Sequence, residues 1–379
     1  LAEDIKDMPD WMYKEPGEKG SSKLHFALIN VSTNPTKNGL RQTPPVGMDC
    51  FSGAGLFSVG LEESRLNVKF AVEKEIVPVQ SYANIHNAEV VSKLSSIDEE
   101  WSVKLKTNDG KLVFHCTMKE FLSKCEEDLI FKEALGRCDF VVLSPPCQGF
   151  SKMNIYKEGN ALENNEESLR ILKVAELLSP KILLFENVFG LWERDHINRY
   201  LRPIVYGLIN MNYSVQVGKI CAADYGDPQT RNRIYLIASR SCVGVPVFLK
   251  PTHSSPNKLD GSGETTPYIT TRDVLRGEED NFPETENHVM DEKLVTFPNK
   301  PVPTVLASKS HRHYCKNRRY SLIENALLMG QERDFVSKLR GDAKLKQRQI
   351  GNGVPMGMAK AMGRAIHEVL KWEWEGEDD

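Results

Sequence analysis

Apolar residues in this chain come in short, dense runs separated by longer stretches in which they recur at helical spacing. From residue 46 the alternation is regular: VGMDCF (46–51) reads as a buried strand, SGAGLFSVGLEES (52–64) as a turn running into a helix, and VKFAVEKE (68–75) as the next strand. Further buried strands are expected at 140–144 (FVVLS), 182–186 (ILLFE), 214–219 and 233–238 (RIYLIA), with helices over 166–178 and 197–209 between them. Runs of β-branched and aliphatic residues without polar alternation mark strands covered on both faces, and strand–helix alternation predicts a mostly parallel sheet. Before this pattern, residues 1–45 read as a lead-in with one apolar stretch, 26–31, suited to an edge strand. After Arg240 the periodicity breaks: 241–299 is rich in Pro, Thr, Ser, Asn and Gly and reads as loops. Order returns near Lys300, and a last helix is expected over 356–372, followed by an acidic tail at 373–379.

At 379 residues the chain accommodates one large α/β domain and a smaller lobe. No apolar run approaches the roughly 18 residues of a membrane span, and no signal peptide opens the sequence. A chain that opens on Leu1 rather than Met reads as a fragment or a processed form, so upstream regulatory domains or chromatin partners are expected. The eight cysteines include no C-x-x-C pair, which argues against a zinc ribbon, so no metal is expected; their scatter suits a reducing compartment. A net charge of −3 does not announce a nucleic-acid binder, yet 309–319 (KSHRHYCKNRR) is basic and free of acidic residues.

Four places carry chemistry. The first is 49–55 (DCFSGAG), where a strand ends on glycines that let backbone approach a ligand; Glu73, ending the next strand, can accept hydrogen bonds from ribose hydroxyls. The second is 144–151 (SPPCQGFS), where Pro145 and Pro146 stiffen the loop that presents Cys147 at the sheet's carboxyl edge, as a nucleophile requires. The third is Glu186-Asn187-Val188 at the end of another strand, where a carboxyl buried against an aromatic base would have a raised pKa and serve as a proton donor. The fourth is 229–233 (QTRNR), whose alternation points Arg231 and Arg233 to one side. Taken singly, each has a plainer alternative: a tight turn with a surface glutamate, a core cysteine, a capping carboxylate, an exposed ladder of charge.

Taken together and in this order, SGAG with Glu73, SPPCQGFSKMN, LLFENVFG, QTRNRIYLIA, KPVPTV (300–305) and IGNGVP (350–355) resemble the cytosine-5 DNA methyltransferases over about residues 46–370. The long gap between Glu73 and Cys147 and the GFSKMN ending are similar to eukaryotic, maintenance-type or fungal branches, whereas PTH (251–253) and TTRDVL (270–275) are also similar to bacterial members. The resemblance implies a Rossmann-like S-adenosylmethionine-dependent fold, with a catalytic domain over 46–240 completed by 319–372, and a target-recognition lobe over 241–318. It implies an enzyme that methylates C5 of a cytosine flipped out of double-stranded DNA. The Cys147 thiolate would add to C6, Glu186 would act at N3, and Arg231 and Arg233 would assist near O2. It places S-adenosylmethionine over Phe51, Ser52, Gly53, Ala54, Gly55, Leu56 and Glu73, closed by Pro146, Asn352 and Val354. DNA contacts are expected from Gln148, Ser151, Asn187, Gln229, Lys309, Arg312, Lys316, Arg318 and Arg319. The family's acidic residue beside the adenine, on the third strand, is open here between a segment ending at Asp98 and one beginning at His115. Localisation is expected to be nuclear, or cytoplasmic for a bacterial source. A tRNA cytosine-5 methyltransferase and a catalytically silent homologue are the rival readings; the first lacks its Cys-Phe-Thr signature here, and the second would have lost Cys147, Glu186 or the arginines.

Overall fold

A computed structural model describes residues 25–28, 44–94, 110–135, 138–146, 166–241, 243–244, 247–255, 265–277 and 296–375. Its centre is a nine-stranded sheet. The strands are β1 (His25–Leu28), β2 (Val46–Cys50), β3 (Asn67–Glu73), β4 (Ala88–Val91), β5 (Lys111–His115), β6 (Phe140–Leu143), β7 (Ile182–Val188), β8 (Tyr213–Cys221) and β10 (Asn232–Arg240). The two-residue β9 (Gln229–Thr230) lies outside it and pairs with Val302–Pro303.

Across the sheet the order is β1-β8-β10-β7-β6-β2-β3-β5-β4. The pairings from β4 to β7 are all parallel, and β10 runs antiparallel to both β7 and β8. The expected mostly parallel sheet is therefore present, with one reversed strand inserted where the β8–β10 connection returns directly. The expected edge strand in the lead-in is β1, antiparallel to β8. From β2 the chain first builds outward through β3 and then returns to place β6 on β2's other side. That reversal opens a crevice at the carboxyl ends of β2 and β6, where open α/β sheets bind ligands.

Helices cover both faces. On one, Met48, Phe70, Phe114, Val141, Leu183, Phe185 and Leu236 of the strands meet Phe121, Phe131, Ile171 and Leu208. These last four belong to α3 (Met118–Glu127), α4 (Leu129–Ala134), α5 (Arg170–Leu178) and α6 (Arg202–Asn210), numbered after α1 (Leu56–Glu62) and α2 (Ile76–His86). On the other face Val68, Phe140, Val142, Leu184, Tyr235 and Ile237 meet Phe57 and Leu61 of α1 and the long last helix, Met356–Glu375. Each fully buried Leu, Val or Phe contributes on the order of 1.5–3 kcal/mol, so the central strands anchor the whole edge that follows them. The helix expected over 197–209 is interrupted: Ile197–Leu201 forms a π turn before α6 begins at Arg202.

The last helix packs on α1 so closely that a Cβ on Gly60 would overlap that of Ala359. Between them the preceding helix, Ala343–Asn352, delivers Asn352, Gly353 and Val354 to the end of β2. The described parts of 241–318 are loop-rich, as expected, with a two-residue parallel pairing of His253–Ser254 with Thr266–Pro267 and a short helix, Thr271–Leu275. Leu275, Val302 and Val305 pack in one cluster with Ala54, Leu56, Tyr320, Met329 and Ile350. No described helix is long and apolar enough to cross a membrane.

Candidate active site

A cleft of about 530 Å³ opens at the carboxyl ends of β2, β3, β5, β6 and β7. That size suits a nucleoside-sized ligand. Its floor is the turn after β2. Phe51 and Gly53 adopt left-handed φ of 62° and 55°, and Gly55 has φ 85°. Ser52 N–H donates to Val72 O (3.1 Å), Gly55 N–H to Ser52 O (2.9 Å), and Gly53 N–H to Glu73 Oε2 (2.9 Å). Glu73 also accepts from Glu75 N–H at 2.8 Å. Glu73 thus shapes the turn as well as lining the cleft, and burial pushes its carboxyl above the usual range.

Phe51, Ser52, Gly53, Ala54, Leu56, Glu73, Pro146, Asn352 and Val354 all line this one cleft, joined from four separate stretches of sequence. Gly55 does not line it; its missing side chain instead admits the ring of His86, and its carbonyl accepts from that ring at 3.0 Å. Polar atoms of the lining that are buried without a hydrogen-bond partner include Asp49 Oδ1, Ser52 Oγ, Ser144 Oγ and Gln349 Oε1. Buried polar groups are ordinarily paired, so this floor is suited to a ligand with polar atoms of its own.

On the β7 side Glu186 is buried, with Arg233 Nε 3.1 Å from its Oε1. Arg231 is buried too, and its Nη1 donates to Gly351 O at 3.0 Å and to Val305 O at 3.4 Å. The alternation of QTRNR does bring both guanidiniums to the cleft, with different duties: Arg233 meets the carboxylate, and Arg231 ties the turn after β9 to the chain's last segments. Cys147, Gln148 and Ser151 lie outside the described residues, as does Asp98; the chain reaches Pro146 on the cleft wall immediately before Cys147.

Three expected DNA contacts are corrected by depth. Gln229 is wholly buried: its Nε2 donates to Leu328 O (3.0 Å), and its Oε1 accepts from Val305 N–H (3.3 Å). Asn187 is 1% exposed and turns its Oδ1 onto Val188 N–H at 2.8 Å. Arg318 is also buried, its two Nη atoms 2.7 and 2.9 Å from the Glu324 carboxylate. Burial works against that carboxylate, but hydrogen bonds from His313 and Arg318 hold its pKa down at about 2. Arg319 donates to Ser310 O at 2.6 Å, so Arg318 and Arg319 brace the basic segment from inside. Lys309 is exposed, and Arg312 and Lys316 are half-buried.

Several lining residues carry no sequence expectation: Ile76, Val77 and Pro78 at the start of α2, Cys116 and Thr117 after β5, and Leu345, Arg348 and Gln349 before Asn352. β3 is flanked by β5, which ends at His115, the residue where the second of the two expected segments begins; Cys116 follows, its N–H donating to Glu73 O at 3.1 Å. The strand signal here is the apolar run in KLVFH. Ile76, three residues beyond the glutamate that ends β3, is an exposed apolar residue on the cleft wall.

Residues 122–300 match the family model of the C-5 cytosine-specific DNA methylases. An Arabidopsis thaliana protein named DNA (cytosine-5)-methyltransferase 3 is 29% identical over 229 residues, 54% of this chain. The type II methyltransferase M1.HphI of Haemophilus parahaemolyticus is 24% identical over 351 residues, 84% of this chain. The chain is similar to the C-5 cytosine-specific DNA methylases. It spans 16% of the Arabidopsis relative's length and 86% of the Haemophilus one's. Among solved structures, a protein described as a DNA modification methyltransferase encoded within an E. coli prophage superposes with a TM-score of 0.63 at 18% identity, covering 86% of this chain and 99% of that one. A Spodoptera frugiperda DNMT2 mutant follows with a TM-score of 0.57 at 15% identity, over 85% and 99% of the two chains. At these identities the superpositions show a shared fold.

Proposed function

We propose that this chain is a DNA (cytosine-5-)-methyltransferase, moving a methyl group from S-adenosylmethionine to C5 of a cytosine flipped out of duplex DNA. The observation that carries the reading is the convergence of the Glu186–Arg233 pair, the 51–55 turn with Glu73, and Pro146, which leads into Cys147, on one cleft. Ser52, Gly53, Glu73, Asn352 and Val354 would hold the cofactor, and the unpartnered Ser52 and Ser144 hydroxyls suit its polar groups. When bound, it supplies a methyl group on a positively charged sulfur.

The residues of this chain do the rest. C5 of cytosine is a weak nucleophile, so electron density must be pushed there. Addition of the Cys147 thiolate to C6 does this while Glu186 bonds N3, oriented by Arg233. Once C5 has taken the methyl group, a base removes the C5 proton and the C6–S bond breaks, releasing the Cys147 thiolate and restoring the ring. Flipping costs a few kcal/mol of unstacking. The segment from 241 to 318 would be the recognition lobe, with Lys309, Arg312 and Lys316 toward the phosphate backbone.

Cys147→Ser should abolish methylation while leaving S-adenosylhomocysteine binding near normal. The deciding measurement is covalent trapping on a 5-fluorocytosine duplex with S-adenosylmethionine present, with a tRNA arm in parallel. Capture of the duplex at Cys147 supports the reading; capture of tRNA alone moves the substrate to RNA. A folded, cofactor-binding sample that captures neither is a silent homologue.

A further inference from the structure

His86 closes α2 far along the chain from every residue of the cleft floor, yet it is built into that floor from behind. The side chain is 7% exposed, and its ring packs on Tyr82 with centroids 4.3 Å apart. Nε2 lies 3.0 Å from Gly55 O, and Nδ1 lies 3.3 Å from Glu62 Oε2. Glu62 Oε1 in turn holds Lys111 Nζ of β5 at 2.6 Å. A carbonyl and a carboxylate both accept, so each ring nitrogen faces an acceptor, and the imidazole bridges two otherwise separate groups.

What it bridges matters. Gly55 is the last residue of the 51–55 turn and the N-cap of α1. Its carbonyl also accepts from Val59 N–H at 3.0 Å, so a rotation of this peptide would disturb both the helix start and the turn. Two non-helical left-handed residues, Phe51 and Gly53, precede it. At Phe51, which carries a Cβ, such backbone is costly and persists only when neighbours over-determine it. The front of the turn is held by Val72 and Glu73; the back is held by His86.

We propose that His86 is a positioning residue that fixes the 51–55 turn in its ligand-ready conformation, with Glu62 and Lys111 orienting the imidazole. The turn's role as a cofactor floor rests on the methyltransferase reading above; its mechanical support by His86 does not.

Two substitutions test this. His86→Phe keeps a ring against Tyr82 but cannot donate, while His86→Gln retains an Nε2–H donor toward Gly55. Hydrogen–deuterium exchange of the unliganded protein reads the turn, and calorimetry with S-adenosylhomocysteine reads the floor. One lost hydrogen bond to a backbone carbonyl predicts about a 3–10-fold change. H86F should therefore speed exchange across 51–60 and weaken binding by that factor with exchange of β6 and β7 unchanged, and H86Q should recover most of both. Wild-type exchange and affinity in H86F would overturn the proposal. If H86F does not fold, Glu62→Gln, which removes the orienting carboxylate charge, should speed exchange of the same segment, and unchanged exchange there overturns it equally. Wild-type protein that fails to bind S-adenosylhomocysteine would count against the cofactor reading alone, since the exchange comparison still decides the role of His86.

Discussion

Asp49 stands under the cleft with Oδ2 on Ser58 Oγ at 2.6 Å and Oδ1 without a hydrogen-bond partner. Burial pushes its pKa from 3.8 up to about 7. The sign of the linkage follows: between those values the unfolded chain has lost a proton that the folded one keeps, so stability falls as pH rises. The contribution is complete below about pH 4 and gone above about pH 7. Asp49→Asn should remove this dependence, so that urea unfolding of wild type and variant diverges by roughly 2–4 kcal/mol over that window. Parallel curves would show that the carboxyl is ionised in the folded protein. Residues at this scale were legible where type and position coincide. Phe51, Glu73, Pro146, Glu186 and Asn352 each lie within three residues of the carboxyl end of a strand or helix, and all line the cleft. Gln229 and Arg318 were misjudged because a polar or charged side chain reads as surface until its partner is known. The partners here are Leu328 O and Glu324, neither of which a local pattern reveals.

Among elements, the start of the last helix is held by a residue 130 positions earlier: Asp227 accepts from Gly357 N–H and Met358 N–H, both at 2.8 Å. Carboxylates suit a helix N-terminus because they satisfy donors that the helix itself cannot. Asp227→Ala should cost about 1–2 kcal/mol, read as a lower urea midpoint with unchanged helical circular dichroism. No loss would mean that the packing of Gly60 against Ala359 alone sets the helix's position. Strands β6, β7 and β10 were readable because both faces are buried and each carries an unbroken apolar run, and β2, β3 and β8 from shorter apolar runs interrupted by polar residues and glycine. The π turn at Ile197–Leu201 was not, since its apolar spacing is compatible with a continuous helix. Nor was the reversed direction of β10, because periodicity carries no strand polarity.

At the scale of the molecule, net charge conceals a division of labour in the basic segment. Arg318 and Arg319 are engaged in bracing, while the exposed Lys309 and the half-buried Arg312 and Lys316 are the cations proposed to face phosphate under the DNA reading. Lys309→Ala with Lys316→Ala should lower the slope of log affinity against log salt by up to about 2, since each phosphate contact contributes about 0.9. An unchanged slope in a duplex-binding assay would assign phosphate contact elsewhere.

The cleft borrows its walls from residues near 50 and near 350 alike, with Arg231 fastened to Gly351 between them. A ribosome making this chain therefore releases the glycine turn some 300 residues before the stretch that completes its enclosure. Nucleoside capture then becomes a late event in biogenesis, so a pulse of labelled ligand would report finished molecules and pass over nascent ones.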